Sequence, residues 1–395
     1  MSLFPLLWGG ADAACRAAGV LEDGGWRRLT MAARQHRLLP LLDARAQETG
    51  FADQAPPDLV SRWRAARRRS ARRALDRRAV LARTADLFAA QGIDAVALKG
   101  AGVVWRDWIE PSLRPMRDLD LLVDGDAIGR ADRLLRTHGF RGRDGAAPAS
   151  EKHLAALVDE TTGVAVELHR STFDVHDAAS AEREQGFRRR AVARSEPCEA
   201  AGGLRVFTST DTLLHLILHA VCDHQFNNGP LLLLDMDVLV AKGGIDWPLF
   251  WSEAQACDAV RSAQLALCLA RTYAGSAGIR WEGHEPEDLP PRVVENAARM
   301  MLVDMSRRAE LGWAGRVAAA APGARGAMLR KMIMRRCHSR GRRQPEPDAR
   351  QGETAGGSRT VLKNFAQVLG VLASGAARRH LAAGLRVGRW LGRRA

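Results

Sequence analysis

None of the six cysteines (Cys15, Cys198, Cys222, Cys257, Cys268 and Cys337) sits in a CxxC pair. Their scatter argues against a disulfide framework and reads as reduced thiols, which makes the cytoplasm the expected compartment. No basic stretch precedes the first apolar run, MSLFPLLWGG, so a signal peptide is not expected. Nor does any stretch offer about 18 uncharged apolar residues, so no transmembrane helix is expected. Aromatics are scarce at 5%, with a single Tyr, and no segment repeats.

What is there is ordinary core material and a great deal of arginine. The 46% apolar content supports a buried core, and 395 residues exceed the usual single domain. The net charge of +14 is concentrated: residues 322–395 hold 17 Lys/Arg against 3 Asp/Glu, and the preceding 321 residues are neutral as a whole. A basic segment of this kind attracts nucleic acid or an acidic partner, and residues 338–395 are the expected contact.

Helical apolar spacing runs through residues 1–92, broken at Pro56-Pro57 and resumed in one long helix over about Leu59–Gln91. Gly92 ends that helix. Its Arg67–Arg69 and Arg72-Arg73 clusters read as a solvated face. From Ile93 the period shortens. Ile93–Leu98 reads as a strand entering Lys99-Gly100, and a helix is expected over Val103–Ile109. Leu119–Val123 makes a second strand, an amphipathic helix follows to His138, and Leu154–Asp159 with Val164–His169 reads as a hairpin. This order predicts an α+β fold with a small mixed sheet over residues 93–208. An N-terminal helical region (1–92) and a helical domain (209–337) flank it, followed by a basic linker and tail (338–395) that can end in an amphipathic helix. Thr210 or Ser209 is the expected N-cap of the helix that opens the second helical part.

The chemistry centres on Arg114-Pro-Met-Arg-Asp118-Leu-Asp120. Residues two apart in a strand share a face, so Asp118 and Asp120 project together while Leu119 and Leu121 enter the core. Two carboxylates side by side repel and are costly without a cation. Paired oxygens suit Mg²⁺ (or Mn²⁺), whose remaining positions are filled by water and substrate phosphates. In Val164-Ala-Val-Glu-Leu-His169 the apolar Val166 and Leu168 face one way, Glu167 and His169 the other. Glu167 is therefore the candidate third ligand, able to complete a site for one ion or a closely spaced pair. On the phosphate side, Lys99 adds a point charge, and Gly100 lets backbone N–H groups approach an anion ahead of a helix. Arg114 and Arg117 can neutralise triphosphate oxygens.

Leu98-Lys-Gly100, Leu113-Arg-Pro-Met-Arg-Asp-Leu-Asp-Leu-Leu-Val123 and Val166-Glu-Leu-His169 together resemble the uncharacterised nucleotidyltransferase family of the polymerase-beta superfamily. The resemblance spans about residues 26–255. It implies a polymerase-beta-like sheet, with Asp118, Asp120 and Glu167 as metal carboxylates and an NTP substrate. Lys99 and Gly100 stand where better-known members of the superfamily carry Gly-Ser, and Arg170 stands where many of this family place an aromatic. Asp211–His219 and Leu231–Val240, which includes Asp235, are similar to the family's helical part.

His215, His219, Cys222, Asp223 and His224 cluster, with one helical turn between the first two, but no second half of a zinc site accompanies them. Packing is their expected role, with His169, His219 and Asp235 as candidates to line the cleft. Asp235 can also cap a helix or pair with an Arg. The expected activity is metal-dependent transfer of an NMP group from NTP to a hydroxyl acceptor that the sequence does not identify. Two alternatives stay open. One is a non-catalytic protein of this fold that binds through its basic tail, and the other is a toxin-like tRNA nucleotidyltransferase.

Overall fold

The computed structural model describes residues 3–106, 109–142, 150, 152–303 and 375–392. The expected domain boundary at 337 and the start of the basic linker and tail that follows it lie outside them. Two compact units divide the chain, Met1–Leu289 and Pro290–Ala395.

The first unit begins with helices α1 (Leu3–Trp8), α2 (Ala11–Gly19), α3 (Asp23–Gln35), α4 (Leu39–Thr49) and α5 (Pro57–Ala90). Buried Trp26, Phe51 and Trp63 hold this bundle, and Trp63 Nε1 donates to Thr30 Oγ1 at 3.1 Å, which satisfies the indole's one polar atom. Pro57 fits the first turn of α5, where its missing N–H costs nothing, and Asp58 complements the helix dipole there. The first part of α5 meets the N-terminal helices. Its last turns, through Val80, Leu81, Ala85 and Phe88, join the core beneath the sheet.

Seven strands form that sheet: β1 (Ala95–Ala97), β2 (Asp118–Val123), β3 (Phe140–Gly142), β4 (Leu157–Asp159), β5 (Ala165–His169), β6 (Glu196–Pro197) and β7 (Arg205–Val206). Their spatial order is β3-β4-β5-β2-β1-β7-β6. β2 runs parallel to β5 and antiparallel to β1, and β7 runs parallel to β1, so the sheet is mixed. The fold is α+β, as the pattern predicts. Three short strands, β3, β6 and β7, go beyond the sequence reading. So does a helix over Ala178–Arg194 (α8), which has few buried side chains.

Helix α6 (Lys99–Val104) begins at the lysine rather than at Val103, and α7 (Ile128–Thr137) packs on the far face of the sheet. The second helical part comprises α9 (Ser209–Leu218), α10 (Leu231–Lys242), α11 (Trp247–Ala256) and α12 (Val260–Leu269). Thr208, one residue before Ser209 and two before Thr210, is the cap instead and accepts from the Asp211 amide. An ion network of two buried carboxylates and two half-buried arginines ties α8 to this part. Arg194 binds Asp211 through 2.6 and 3.0 Å contacts, and Arg190 and Arg194 both bind Glu253. In the second unit α13 (Pro291–Met301) packs with α14 (Gly375–Leu391). Among the described residues no helix is long and apolar enough to cross a membrane.

Candidate active site

Strand β2 carries the first two acids because its period-two alternation sorts side chains by face. Leu119, Leu121 and Val123 join the core shared with α5 and α7. Asp118 and Asp120 therefore lie on the opposite face. In the parallel pairing of β2 with β5, Asp120 is in register with Glu167, and Asp118 with Ala165. Neighbouring strands lie about 4.8 Å apart, so the register makes Asp120 and Glu167 lateral neighbours. Ligand atoms of Asp120, Glu167 and His169 come within 4.8 Å of one another.

Lys99 enters from the adjoining corner. Its φ of +48° is left-handed, a costly conformation for a non-glycine residue, and it occurs where β1 turns into α6. The turn sets Lys99 Nζ at 2.8 Å from Asp120 Oδ1, and His169 Nε2 lies 2.7 Å from the same oxygen. Burial by itself would raise the Asp120 pKa, but Lys99 and His169 hold it well below the usual carboxylate range. Burial likewise opposes charge on Lys99, and Asp120 more than restores it. The Glu167 carboxyl is also lowered: burial and Asp120 would raise it, and His169, 3.7 Å away, together with His153 outweighs them.

Asp118 is the exception. Among the described residues it accepts no hydrogen bond and forms no ion pair within 4 Å. Burial, followed by repulsion from Asp120 and Glu167, pushes its carboxyl up to about 6. Asp120 Oδ2 likewise takes no hydrogen bond from a described residue, since both donors use Oδ1. Three carboxylates face one lysine, with oxygens left over. This donor set fits a hard divalent cation, which prefers oxygen ligands and relieves like-charge repulsion.

Gly100 has a specific steric reason. A Cβ there would overlap Arg114 Nη1 and lie 2.7 Å from the Met116 sulfur. Arg114 is held against that corner by a two-pronged bond to Asp235 on α10, with Nε at 2.9 Å and Nη2 at 2.6 Å. The expected pairing of Asp235 with an arginine is thus realised through Arg114. The guanidinium fork is spent on Asp235, while its charge still faces the acids. Arg117 is exposed and lines a cleft beyond Asp118. His219 Nδ1 meets Asp223 at 3.0 Å in a π-helical turn (His219–Asp223), and Lys152 pairs with the same aspartate. The register thus brings Asp118, Asp120, Glu167 and His169 onto one face, with Lys99 and Gly100 at its edge. Arg117 lies outside that cluster.

Sequence reasoning did not single out Arg37 or Arg77. Arg37 lowers the Asp118 carboxyl electrostatically, and Arg77 donates to the Met116 carbonyl. Nothing local in either neighbourhood signals this, because the turn after α3 and helix α5 reach β2 only through the tertiary fold.

A mixed sheet with flanking helices and acids on its open face defines a nucleotidyltransferase-like fold. The family described as "Uncharacterised nucleotidyltransferase" matches residues 22–275, and the chain belongs to that family of enzymes that transfer phosphorus-containing groups. No curated protein and no solved structure matches the chain at a significant level.

Proposed function

We propose that this protein transfers an NMP group from NTP, bound with Mg²⁺ or Mn²⁺, to an acceptor hydroxyl and releases pyrophosphate. The observation that carries the reading is the register of Asp120 against Glu167, with Asp118 two residues away on the same face beside Lys99. Asp118, Asp120 and Glu167 would hold the cation, which when bound neutralises phosphate charge and polarises the phosphorus under attack.

The chain's own groups supply the rest. Lys99 and the first N–H groups of α6 offer positive charge to the outer phosphates. Arg114, clamped by Asp235, keeps the Gly100 backbone open to them and adds its field. Glu167 takes the acceptor's proton, because Asp120 is already committed to Lys99 and His169. His169 fixes Asp120 from the side of β5. Catalysis of this kind is positioning and charge neutralisation.

The test is NTP-dependent pyrophosphate release, or transfer of label from α-labelled NTP, with and without divalent cation. Activity that survives both Asp118→Ala and Asp120→Ala in folded protein sinks the reading. The family match covers the sheet and the following helices but leaves the C-terminal tail outside it, so tail-mediated binding is a separable property.

A further inference from the structure

Beyond Asp118, a cleft of about 900 Å³ opens between the N-terminal helices and the outer strands. Its floor, Ala165, Val158 and Arg141, follows a single row across the sheet that starts beside it at Asp118. Asp118 on β2 is in register with Ala165 on β5, Ala165 with Val158 on β4, and Val158 with Arg141 on β3. Three strand spacings put Arg141 about 15 Å from the catalytic acid, on the same face.

The opposite wall is α5. Arg69, Arg73 and Arg77 line the cleft from successive turns, four residues and so about 6 Å apart along the helix. That interval is comparable with the separation of successive phosphates along a nucleic-acid strand. Arg77 is buried and anchored by the carbonyls of Arg73 and Met116, while Arg69 and Arg73 are exposed. Arg34 and Arg117 add charge at the rim, and Asp76 is the one acid among the described residues of the lining. Among the described residues Arg34, Arg69, Arg73 and Arg117 form no ion pair. Cations gathered in one concavity in excess of its carboxylates repel each other unless an anion fills it. Guanidinium forks match phosphate oxygens in two-pronged geometry.

We infer that this cleft seats the phosphodiester backbone of a single nucleic-acid strand, with its 3′ end at Asp118, so that the strand is the acceptor. The inference rests on the nucleotidyl-transfer reading above and names its substrate class. The cleft lies on the Glu167 side of the acids, away from the Lys99 corner assigned to the triphosphate. The arginines outnumber what a molecule with one phosphate would need. Among the described residues no Phe, Tyr, Trp or His lines the cleft, so they offer bases no aromatic platform, and recognition runs through the backbone with little regard to sequence. In the step itself the strand's 3′-oxygen attacks the α-phosphorus of the NTP and forms a new P–O bond. The bond from that phosphorus to the β-phosphate bridging oxygen breaks, pyrophosphate leaves, and the hydroxyl proton passes to Glu167.

The test uses the full chain and its Arg69→Ala/Arg73→Ala variant, two exposed positions on a helix whose folding circular dichroism can check. Short 5′-labelled single strands of RNA and of DNA are titrated by fluorescence anisotropy at several salt concentrations, and Mg²⁺–NTP binding is measured in parallel by calorimetry. The double variant should bind strands at least tenfold more weakly. The slope of log affinity against log salt should fall by about 1.4, or about 0.7 for each phosphate that an arginine no longer neutralises. Mg²⁺–NTP binding should stay unchanged. Retention of RNA alone, or of RNA and DNA alike, both support the cleft and say which strand it takes. If the double variant binds strands as tightly as the parent, the basic tail is responsible and the inference fails. It fails too if Mg²⁺–NTP binds and neither strand does, which would leave a small phosphorylated acceptor. Loss of Mg²⁺–NTP binding in the parent protein would instead overturn the nucleotidyl-transfer reading, whatever the strands do.

Discussion

The corner around Asp120 and the clamp around Glu253 are both built from buried carboxylates and cations, yet they balance differently. In the clamp, Asp211 and Glu253 meet Arg190 and Arg194, two charges against two. Both Glu253 oxygens and both Asp211 oxygens accept hydrogen bonds. In the corner, Asp118, Asp120 and Glu167 meet Lys99, with His169 as a further donor to Asp120, and Asp118 takes no hydrogen bond from any described residue. A closed network is what a fold uses to fix helices against each other. A network short of positive charge, beside a cleft, is what a site uses when a ligand brings the missing charge.

The largest effect should come from breaking the corner. Asp120→Asn removes a charge that nothing else on that face replaces, and transfer activity should fall by about 10³-fold or more, the scale of a bound cation's contribution. Folding should survive. Asp118→Asn gives the sharper contrast: it should lose activity similarly, yet raise metal-free stability at pH 7 by about 1–2 kcal/mol, because it relieves repulsion from Asp120 and Glu167. Thermal melts with and without Mg²⁺ read this directly. A lower melting temperature for metal-free Asp118→Asn would contradict the charge imbalance.

The clamp should respond in the opposite sense. Glu253→Ala strands Arg190 and leaves Arg194 with Asp211 alone, so stability should fall by about 2–3 kcal/mol. Mg²⁺–NTP affinity per folded molecule should hold. Chemical denaturation beside calorimetry separates the two effects. A variant that unfolds normally but loses nucleotide would tie the clamp to the site and erase the difference between the two networks.

The corner is legible in the sequence because its chemistry is written in strand periodicity. Asp118 and Asp120, and Glu167 with His169, alternate with core residues, so their shared faces follow from period two. What joins the two strands does not follow from it: the Asp120–Glu167 register depends on β2 pairing with β5 across the sheet order. The clamp is not legible. Helix α8 has little apolar stripe, with Phe187 and Ala191 its buried hydrophobics, and ion pairs hold it in place of packing. Arg68, Arg69, Arg72 and Arg73 of α5 are exposed as expected, whereas Arg67 is half-buried against Asp43 and Glu110, and nothing in the helix pattern says that Arg69, Arg73 and the buried Arg77 line one cleft with Arg141. The start of α6 is misplaced by four residues because glycines disguise a helix whose first residue is a left-handed lysine.

Gly100→Ala probes how rigidly the corner is built. The added methyl meets Arg114, and Arg114 cannot retreat without breaking its two bonds to Asp235. Overpacking should cost about 1–2 kcal/mol of stability. Activity should drop further than stability accounts for, because the phosphate-facing backbone shifts. A second change, Asp235→Asn, would free Arg114 and should soften the activity loss. If Gly100→Ala is fully active, the Lys99–Gly100 corner does not approach the phosphates.

A third way of treating charge in the same unit gives the smallest effect, and it fixes the sign of the acid-side stability. His215 on α9 is buried between Phe207 and His219, and neither ring nitrogen has a hydrogen-bond partner among the described residues. Burial first, then Lys99 and Lys152, push its pKa down to about 3 from 6.5, with Asp223 opposing. The folded state therefore keeps His215 neutral where the unfolded chain protonates it. Below pH 6.5 the unfolded state binds the extra proton, so stability is full above 6.5 and declines as pH falls toward 3. The slope from this residue should approach about 1.4 kcal/mol per pH unit. His215→Leu removes the titrating group without adding a polar atom, and its stability should be flatter between about pH 6.5 and 5 than that of the parent. Parallel profiles for the two proteins over that range would mean that His215 takes up its proton in the folded state, and that burial there does not exclude charge.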